Sequence, residues 1–358
     1  MRTFTGISGA RRFNRRDAGL AAVFSSSPSG HHAQHLHLKG KAASRPARLA
    51  WVALVAATLA TLPLAGALPA AAAAPITICP ARCDYTTIQA AINAAASGAL
   101  LVIGAGTYDG PLTIGTSLTL LGAGAAQTTI TVPASGGTVI TVDTGVSAAV
   151  KGVTVSGGSS AFGGGIVNES GATLTLKEVT VSHNSAQIRG GGILNDPGAT
   201  LTADDSTLAG NTAAFGGGAM VNPGGTVALN GTTVSGNLSL AGRGGGIGNN
   251  GTLTLSDTTI TGNTTGSDGG GLFNNADGTL TVSDSTVSGN TAAGHGGGLF
   301  NFGPSATLTG STVTGNTAGA DGGGIYLDSG TVTLQDSAVS GNVPDNCAPP
   351  GAVAGCTG

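Results

Sequence analysis

The stretch GGGLFN at residues 296–301 has six close relatives elsewhere in the chain, and this repetition decides the fold. A glycine-rich phrase that returns about every 26 residues indicates stacked structural repeats. Its three glycines allow positive φ angles and close backbone approach at a tight corner. A phosphate-binding loop would need a following helix, which the sequence lacks, so we expect no nucleotide. The relatives are GGGIVN from residue 163, GGGILN from 190, GGGAMVN from 216, GGGIGNN from 244, GGGLFNN from 269 and GGGIYLD from 322.

A second marker is an asparagine that closes a phrase such as VSGN or ITGN in every repeat. Successive asparagines are 26 or 27 residues apart. We interpret them as structural, because an amide in a turn can bond backbone groups and the asparagine of the neighbouring repeat, at about 1 kcal/mol per bond. They are Asn184, Asn211, Asn237, Asn263, Asn290, Asn316 and Asn342.

Apolar residues alternate with threonine before each asparagine. Leu253 and Leu255 flank Thr254, a period of two that predicts a strand with one buried face. An apolar residue three positions before the asparagine, such as Ile260, predicts a second strand. The glycine phrase supplies a third strand, whose apolar members are Ile166, Ile193, Ala219, Ile247, Leu272, Leu299 and Ile325.

Three short strands in every repeat predict one coil of a parallel β-helix. We expect about ten coils over residues 99–342, stacked about 4.8 Å apart over roughly 45 Å. An acidic ladder precedes Ser, Thr or Val at a strand entrance, where turn chemistry explains it. It comprises Glu178, Asp205, Asp257, Asp284 and Asp336.

The composition agrees with a lattice of small side chains. The 358 residues include 64 glycines, with only 9% charged and 3% aromatic residues. A hydrophobic content of 40% and a mean hydropathy of +0.25 argue against disorder of the repeats. The net charge of −3 argues against nucleic acid, which requires a basic face.

The first 74 residues predict export. Residues 45–74 have the features of a secretory signal, with an apolar run over 49–68 and the tract PAAAAAP after it. An uncleaved membrane anchor is the alternative, because about 20 apolar residues can span a bilayer. Residues 1–44 are either a disordered basic leader or follow a start assigned too early.

The four cysteines agree with export, because exported proteins often carry disulfides. The simplest pairing joins Cys79 to Cys83 and Cys347 to Cys356, although three connectivities are open. A metal or redox role for CPARC is the alternative, without a partner motif in the sequence.

Residues 75–98 predict an N-terminal cap with an amphipathic helix, and residues 343–358 a C-terminal cap or tail. Thr86 and Gln89 fit a capping box. Ile88 and Ala91 share one helical face that would cover the open end of the coils, as repeat proteins require.

Residues 84–132 resemble the pectin-lyase-like right-handed β-helix proteins, which include pectate lyases and pectinesterases. The matching phrases are YTTIQAAINAA, GTYDGPLTI and LTLLGAGAAQTTI. The repeats after Gly163 are similar to the polymorphic outer membrane protein repeat, with GGGI for its glycine motif and VSGN for its F-x-x-N motif. The resemblance implies a right-handed β-helix and is far less specific for activity.

One repeat position varies while its neighbours stay constant. On adjacent coils it forms a stripe, spaced about 5 Å, in which a histidine lies between two aspartates. That arrangement suits a general base or a weak metal site, whereas arginines and aromatics suit an acidic polysaccharide. The alternative is a solvated turn position. The stripe comprises Phe162, Arg189, Phe215, Arg243, Asp268, His295 and Asp321.

Enzyme motifs match only in fragments. GHG at 294–296 and DD at 204–205 are similar to polygalacturonase motifs, but lie about three coils apart instead of about one, and no R-I-K element follows. Pectate lyases need several carboxylates for calcium plus an arginine, and pectinesterases need two aspartates with an arginine. Asp268, Asp321 and Arg243 supply these residue types without the surrounding motifs.

We therefore expect an exported, monomeric, non-catalytic β-helix protein, secreted or at the cell surface, that binds glycans or other cell-surface ligands. It would need no cofactor, bind no nucleic acid, and touch a membrane only through an uncleaved signal segment. The alternative is a polysaccharide lyase or glycoside hydrolase that acts on acidic polysaccharide at Asp268, His295 and Asp321, with calcium only if it is a lyase. A purely structural spacer is a third reading.

Overall fold

The structure is a computed structural model that describes residues 74–133 and 136–357. These residues form a parallel β-solenoid of about ten coils, which confirms the predicted fold. The expected leader over 1–44 and the expected signal segment over 45–74, apart from residue 74, lie outside the described residues. Within the described part of the chain, no helix has the length and apolar character to cross a membrane.

Four sheets run along the solenoid. Sheet A contains Ile76–Ile78, Ala99–Ile103, Leu118–Leu121, Ser147–Lys151, Thr173–Lys177, Thr200–Asp204, Thr226–Asn230, Thr252–Ser256, Thr279–Ser283, Ser305–Thr309 and Thr331–Gln335. Sheet B contains Gly106–Asp109, Thr128–Thr131, Thr154–Ser156, Thr180–Ser182, Thr207–Ala209, Thr233–Ser235, Thr259–Thr261, Thr286–Ser288, Thr312–Thr314 and Ala338–Ser340.

The other two sheets complete each coil. Sheet C contains Leu112–Ile114, Ile140–Val142, Ile166–Asn168, Ile193–Asn195, Met220–Asn222, Ile247–Asn249, Leu272–Asn274, Leu299–Asn301, Ile325–Leu327 and Cys347–Ala348. Sheet D contains Ser159–Phe162, Ser185–Arg189, Thr212–Ala213, Leu238–Ser239, Thr264–Thr265, Thr291–Ala292 and Thr317–Ala318.

Sheet D corrects the expectation of three strands per coil. In the later coils its strands are only two residues long, as at Thr264–Thr265 and Thr291–Ala292. Two residues cannot display a period of two, so the sequence pattern did not reveal this strand.

The turn between sheets A and B confirms the structural reading of the acidic ladder. Each acidic residue there has a positive φ between 47° and 53°. In other coils glycines occupy the same turn, at Gly152, Gly231 and Gly310, with φ between 56° and 60°. Short polar residues and glycine tolerate this left-handed conformation best.

The third repeat shows a register error in the sequence reading. Met220, and not Ala219, pairs with Ile193 on one side and Ile247 on the other. Ala219 therefore occupies the position that the third glycine holds in the other repeats. Gly217 and Gly218 occupy the positions of the first two glycines. In this repeat the three consecutive glycines begin one residue earlier than in the others. Aligning the repeats on their first glycine therefore placed Ala219 where Met220 belongs.

The N-terminal cap contains the helix α1, Ile88–Ala94. Its N-cap is Thr87 and not the predicted Thr86, because the Thr87 hydroxyl accepts from the Ala90 N–H at 3.4 Å. Gln89 closes no capping box. Its side-chain oxygen instead accepts from the Thr113 N–H at 2.8 Å and ties the helix to sheet C.

The two disulfides join the expected partners. Cys79 is bonded to Cys83, and Cys347 is bonded to Cys356. Cys347 belongs to the last strand of sheet C, so the second disulfide closes the C-terminal end of the described solenoid.

The predicted asparagines form a continuous buried ladder. Asn263 shows the pattern: its Nδ2 donates to Asn290 Oδ1 at 2.9 Å and to the Val234 carbonyl at 3.0 Å. Its Oδ1 accepts from both the backbone N–H and the Nδ2 of Asn237. Every polar atom of this amide is therefore paired inside the protein, as burial requires.

A second buried ladder was not predicted. It consists of the asparagine that ends six successive strands of sheet C, with Nδ2···Oδ1 distances of 2.8–3.0 Å between coils. The signal was present in the final N of GGGLFN. Its members are Asn168, Asn195, Asn222, Asn249, Asn274 and Asn301.

We predict that Asn249→Ala destabilises the solenoid by about 2–4 kcal/mol, because it removes one of the acceptors of the Asn222 amide, which keeps its bond to the Gly225 carbonyl, and leaves the Asn274 oxygen without a donor. The matched control is Asn250→Ala, which removes a partly exposed amide one residue later and should change stability by less than about 0.5 kcal/mol. Urea unfolding followed by circular dichroism measures both. Equal midpoints for the two variants would contradict the structural role of the ladder.

Candidate functional site

The variable stripe lies where each coil passes from sheet D towards sheet C. Phe162 pairs with Arg189, and Gly216 bridges to Arg243. Gly216 therefore occupies the stripe in the third repeat, and the predicted Phe215 lies one residue before it. The cause is the same as for Ala219, because the three glycines of this repeat begin one residue earlier than in the other repeats.

The structure brings together the three residues predicted as weak catalytic candidates. The Asp268 Oδ1 accepts from the His295 backbone N–H at 3.0 Å, and the His295 Nδ1 accepts from the Asp321 N–H at 3.3 Å. The His295 Nδ1 also lies 3.8 Å from the Asp321 Oδ2. These residues form a row on three successive coils, as their spacing predicted.

Arg243 extends this row towards the N-terminus. Its Nε lies 3.3 Å from the Asp268 Oδ2, and the Asp268 side chain is 15% exposed. One carboxylate oxygen of Asp268 therefore accepts from the His295 backbone N–H, and the other forms an ion pair with the Arg243 guanidinium. We conclude that Asp268 holds Arg243 in place.

A ladder of aromatic rings runs beside the row on the outer side of sheet C. The rings of Phe273 and Phe300 stack at 5.2 Å, and those of Phe300 and Tyr326 at 5.1 Å. The ring centroids of His295 and Tyr326 lie 4.3 Å apart, and the Arg243 guanidinium lies 4.9 Å from the Phe273 ring centre. Sequence reasoning missed this ladder, although the pair LF recurs in the glycine phrase.

The ladder is interrupted at one coil by Gly248. In register, Gly248 lies between Val221 and Phe273. Since glycine leaves this outward position empty, a cleft of about 460 Å³ opens here. The side chains around it include Arg189, Phe215, Val221, Pro223, Arg243, Asn250, Phe273 and Asn275.

The cleft combines two cations with exposed aromatic surface. Arg189 and Arg243 belong to coils on either side of Gly216, and Phe215 is 63% exposed. Arginine binds carboxylates through paired N–H groups, and aromatic rings cover apolar faces of ligands. The cleft can therefore hold a ring-shaped ligand with an acidic group.

Gly248 is not needed for backbone geometry. A Cβ placed there would meet its nearest atoms at 3.7–3.8 Å, which is ordinary contact, and its φ lies outside the left-handed region. This distinguishes it from the glycines of the triplets, where a Cβ would meet backbone atoms below 3.0 Å at Gly245 and Gly246. The missing side chain at Gly248 thus shapes the surface and not the fold.

The row does not fit the calcium ion that a lyase would use. Asp268 already pairs with Arg243 and with the His295 N–H. Among residues 74–133 and 136–357, no three His, Cys, Asp or Glu side chains come together as a possible cation site. We derive no chemical step through a metal here.

A second acidic row lies next to the cleft. Asp143, Glu169 and Asp196 each follow directly after the end of a sheet C strand on three successive coils. Burial raises the pKa of the Asp196 carboxyl, Glu169 raises it further, and Arg189 acts in the opposite direction. Burial and then Glu169 also raise the pKa of Asp143.

Comparisons with known proteins agree with the resemblance seen in the sequence. Residues 310–328, which contain VTGN and GGGIYLD, match the Chlamydia polymorphic membrane protein repeat. A search of curated proteins found no match.

Similar solved structures include pectin methylesterase from carrot, 10% identical with a TM-score of 0.46, covering 78% of this chain and 87% of that one. Deglycosylated pectin methylesterase from Aspergillus niger is 14% identical, with a TM-score of 0.42 and coverages of 77% and 88%. Pectate lyase Pel9A is 16% identical, with a TM-score of 0.43 and coverages of 71% and 73%. At these identities the activities of those proteins do not transfer to this chain.

We predict that Asp196→Asn stabilises the protein at neutral pH by about 0.5 kcal/mol, an effect kept small by solvent screening. When the pKa of a carboxyl is raised in the folded state above its ordinary 3.8, the free energy of unfolding falls as the pH rises through that folded-state pKa. The gain should therefore disappear below pH 3.8. Urea midpoints across this pH range measure it, with the exposed Asp277→Asn as a charge-matched control. A gain that persists below pH 3.8 would contradict the assignment.

Proposed function

We propose that this protein is an exported, non-catalytic β-helix protein that binds acidic glycans in the cleft at Gly248. The observation that carries the proposal is the interruption of the outer ladder of sheet C between Val221 and Phe273, beside Arg189 and Arg243. A cleft with two guanidinium groups and the exposed ring of Phe215 suits a uronate ring.

Contacts within the protein orient Arg243 for ligand binding. Arg243 is fixed by Asp268 on one side and by the Phe273 ring beneath it, so its donors are oriented before a ligand arrives. A fixed side chain loses less conformational freedom on binding, which improves affinity. His295 in turn packs on Tyr326 and contacts Asp321, so these groups support each other along the row.

The location is proposed on two grounds. Both cysteine pairs are disulfide-bonded, as is common in exported proteins. The repeat that matches residues 310–328 is named for a membrane protein of Chlamydia, which supports a place at a cell surface.

We predict that the protein binds polygalacturonate, and that Arg189→Gln and Arg243→Gln each weaken binding by about ten- to a hundredfold, since a charge-assisted hydrogen bond contributes roughly 1.5–3 kcal/mol. Gly248→Val should weaken binding by narrowing the cleft while leaving the urea midpoint unchanged or raised, because valine already stands at position 221 of the same ladder. Lys177→Gln removes an equal charge from sheet A and is the matched control. Isothermal titration at two salt concentrations gives the affinities. Retained affinity in Gly248→Val would contradict the cleft as the binding site.

The enzyme alternative is tested on the same material. We predict that incubation with pectin and polygalacturonate, with and without calcium, releases neither unsaturated nor reducing ends. Turnover that is abolished by His295→Ala but retained in Lys177→Gln would overturn the non-catalytic assignment and place a lyase or hydrolase site on the row of Asp268, His295 and Asp321.

A further inference from the structure

The two arginines of the cleft at Gly248 are separated along the solenoid axis. Arg189 and Arg243 occupy the same position in their coils, and the coil of Gly216 lies between them. Two steps of about 4.8 Å place their backbones about 9.6 Å apart. Because the position between them is a glycine, no side chain fills the space from one arginine to the other.

Contacts within the protein draw the two guanidinium groups away from each other. The Arg189 guanidinium lies 5.6 Å from the ring centre of Phe162, which belongs to the preceding coil. The Arg243 guanidinium instead contacts Phe273 and Asp268, which belong to the following coil. A single carboxylate would have to pull both side chains off their rings to bind both arginines. The two cations therefore face a ligand as separate groups at opposite ends of the cleft.

Both cations are accessible to a ligand. The Arg243 side chain is 52% exposed although it pairs with Asp268. Arg189 is exposed, and in the described part of the chain it forms no ion pair with a carboxylate. Phe215, on the coil between them, directs an exposed ring into the same cleft. The cleft thus presents a cation, an apolar ring and a second cation on three successive coils.

On the basis of the proposed function, we propose that the cleft binds three consecutive uronic acid residues of a chain that lies along the solenoid axis. A pyranose unit is about as long as the step from one coil to the next. In a polyuronate chain with twofold symmetry, alternate residues direct their carboxylates to the same side. The first and third carboxylates therefore bind Arg189 and Arg243, while the middle ring lies against Phe215 with its carboxylate directed to solvent.

Two carboxylates at this spacing bind more tightly than one. When two groups of one ligand are held by two sites, the second contact forms within the complex, which raises affinity by about 10²–10⁴ where the geometry allows both. A ligand with one carboxylate, or with two on adjacent residues, reaches only one arginine. Trigalacturonate is therefore the shortest galacturonate chain that gains from both.

The test is isothermal titration of the protein with galacturonate, digalacturonate and trigalacturonate in turn. The wild type should bind trigalacturonate at least about tenfold more tightly than digalacturonate, because only the longer chain spans both arginines. This gain should vanish in Arg189→Gln and in Arg243→Gln, since each variant keeps one cation. Lys177→Gln removes an equal charge from sheet A and should retain the gain. Circular dichroism and urea midpoints verify that the variants are folded.

Trigalacturonates that carry a single methyl ester distinguish the three positions of the ligand. An ester on the middle carboxylate should leave the affinity of the wild type unchanged, because that group contacts no arginine. An ester on either terminal carboxylate should lower the affinity to that of digalacturonate.

Equal affinities for digalacturonate and trigalacturonate in the wild type overturn the inference, as does a gain that persists in either arginine variant. A loss of affinity on esterification of the middle carboxylate overturns it as well. Binding of polygalacturonate without the gain at three residues removes the spacing requirement and leaves acidic-glycan binding standing. Absence of any binding of polygalacturonate overturns the proposed function itself, and the spacing requirement with it.

Discussion

The exact stacking of one coil on the next depends on two columns of buried asparagines. Each amide bonds the amide of the neighbouring coil at 2.8–3.0 Å, and in the first column it also holds the backbone N–H of the preceding asparagine. A shift of one residue in any coil would leave several of these buried groups unpaired, at about 1–3 kcal/mol each. The ladders therefore fix the register, and every outer column inherits its regularity from them.

The sequence predicted the features that repeat at constant spacing. The seven asparagines, the acidic turn residues and the disulfide partners were all read correctly, since each is tied to a simple local rule. The errors arose where similar sequence positions do not occupy equivalent positions in the coil. An extra leading glycine shifted Met220 and Gly216 by one position, and the two-residue strands of sheet D have no pattern to read.

The candidate site was only partly predictable, because it depends on a missing side chain. The row of Asp268, His295 and Asp321 followed from spacing alone, and the structure places the three together. The cleft at Gly248 did not, since one glycine among 64 looks like any other in the sequence. Only the in-register pairing with Val221 and Phe273 shows that this glycine faces outward and serves no backbone turn.

The pairing of each strand with the strand one repeat earlier also governs how the chain can fold. Most long-range contacts join residues only about 26 positions apart, so a new coil needs nothing beyond the one already formed. The capped N-terminal end, with α1 over the first coils, offers a surface on which the first repeats can dock. The solenoid can therefore grow in the direction of synthesis, one coil at a time, while the rest of the chain is still being delivered.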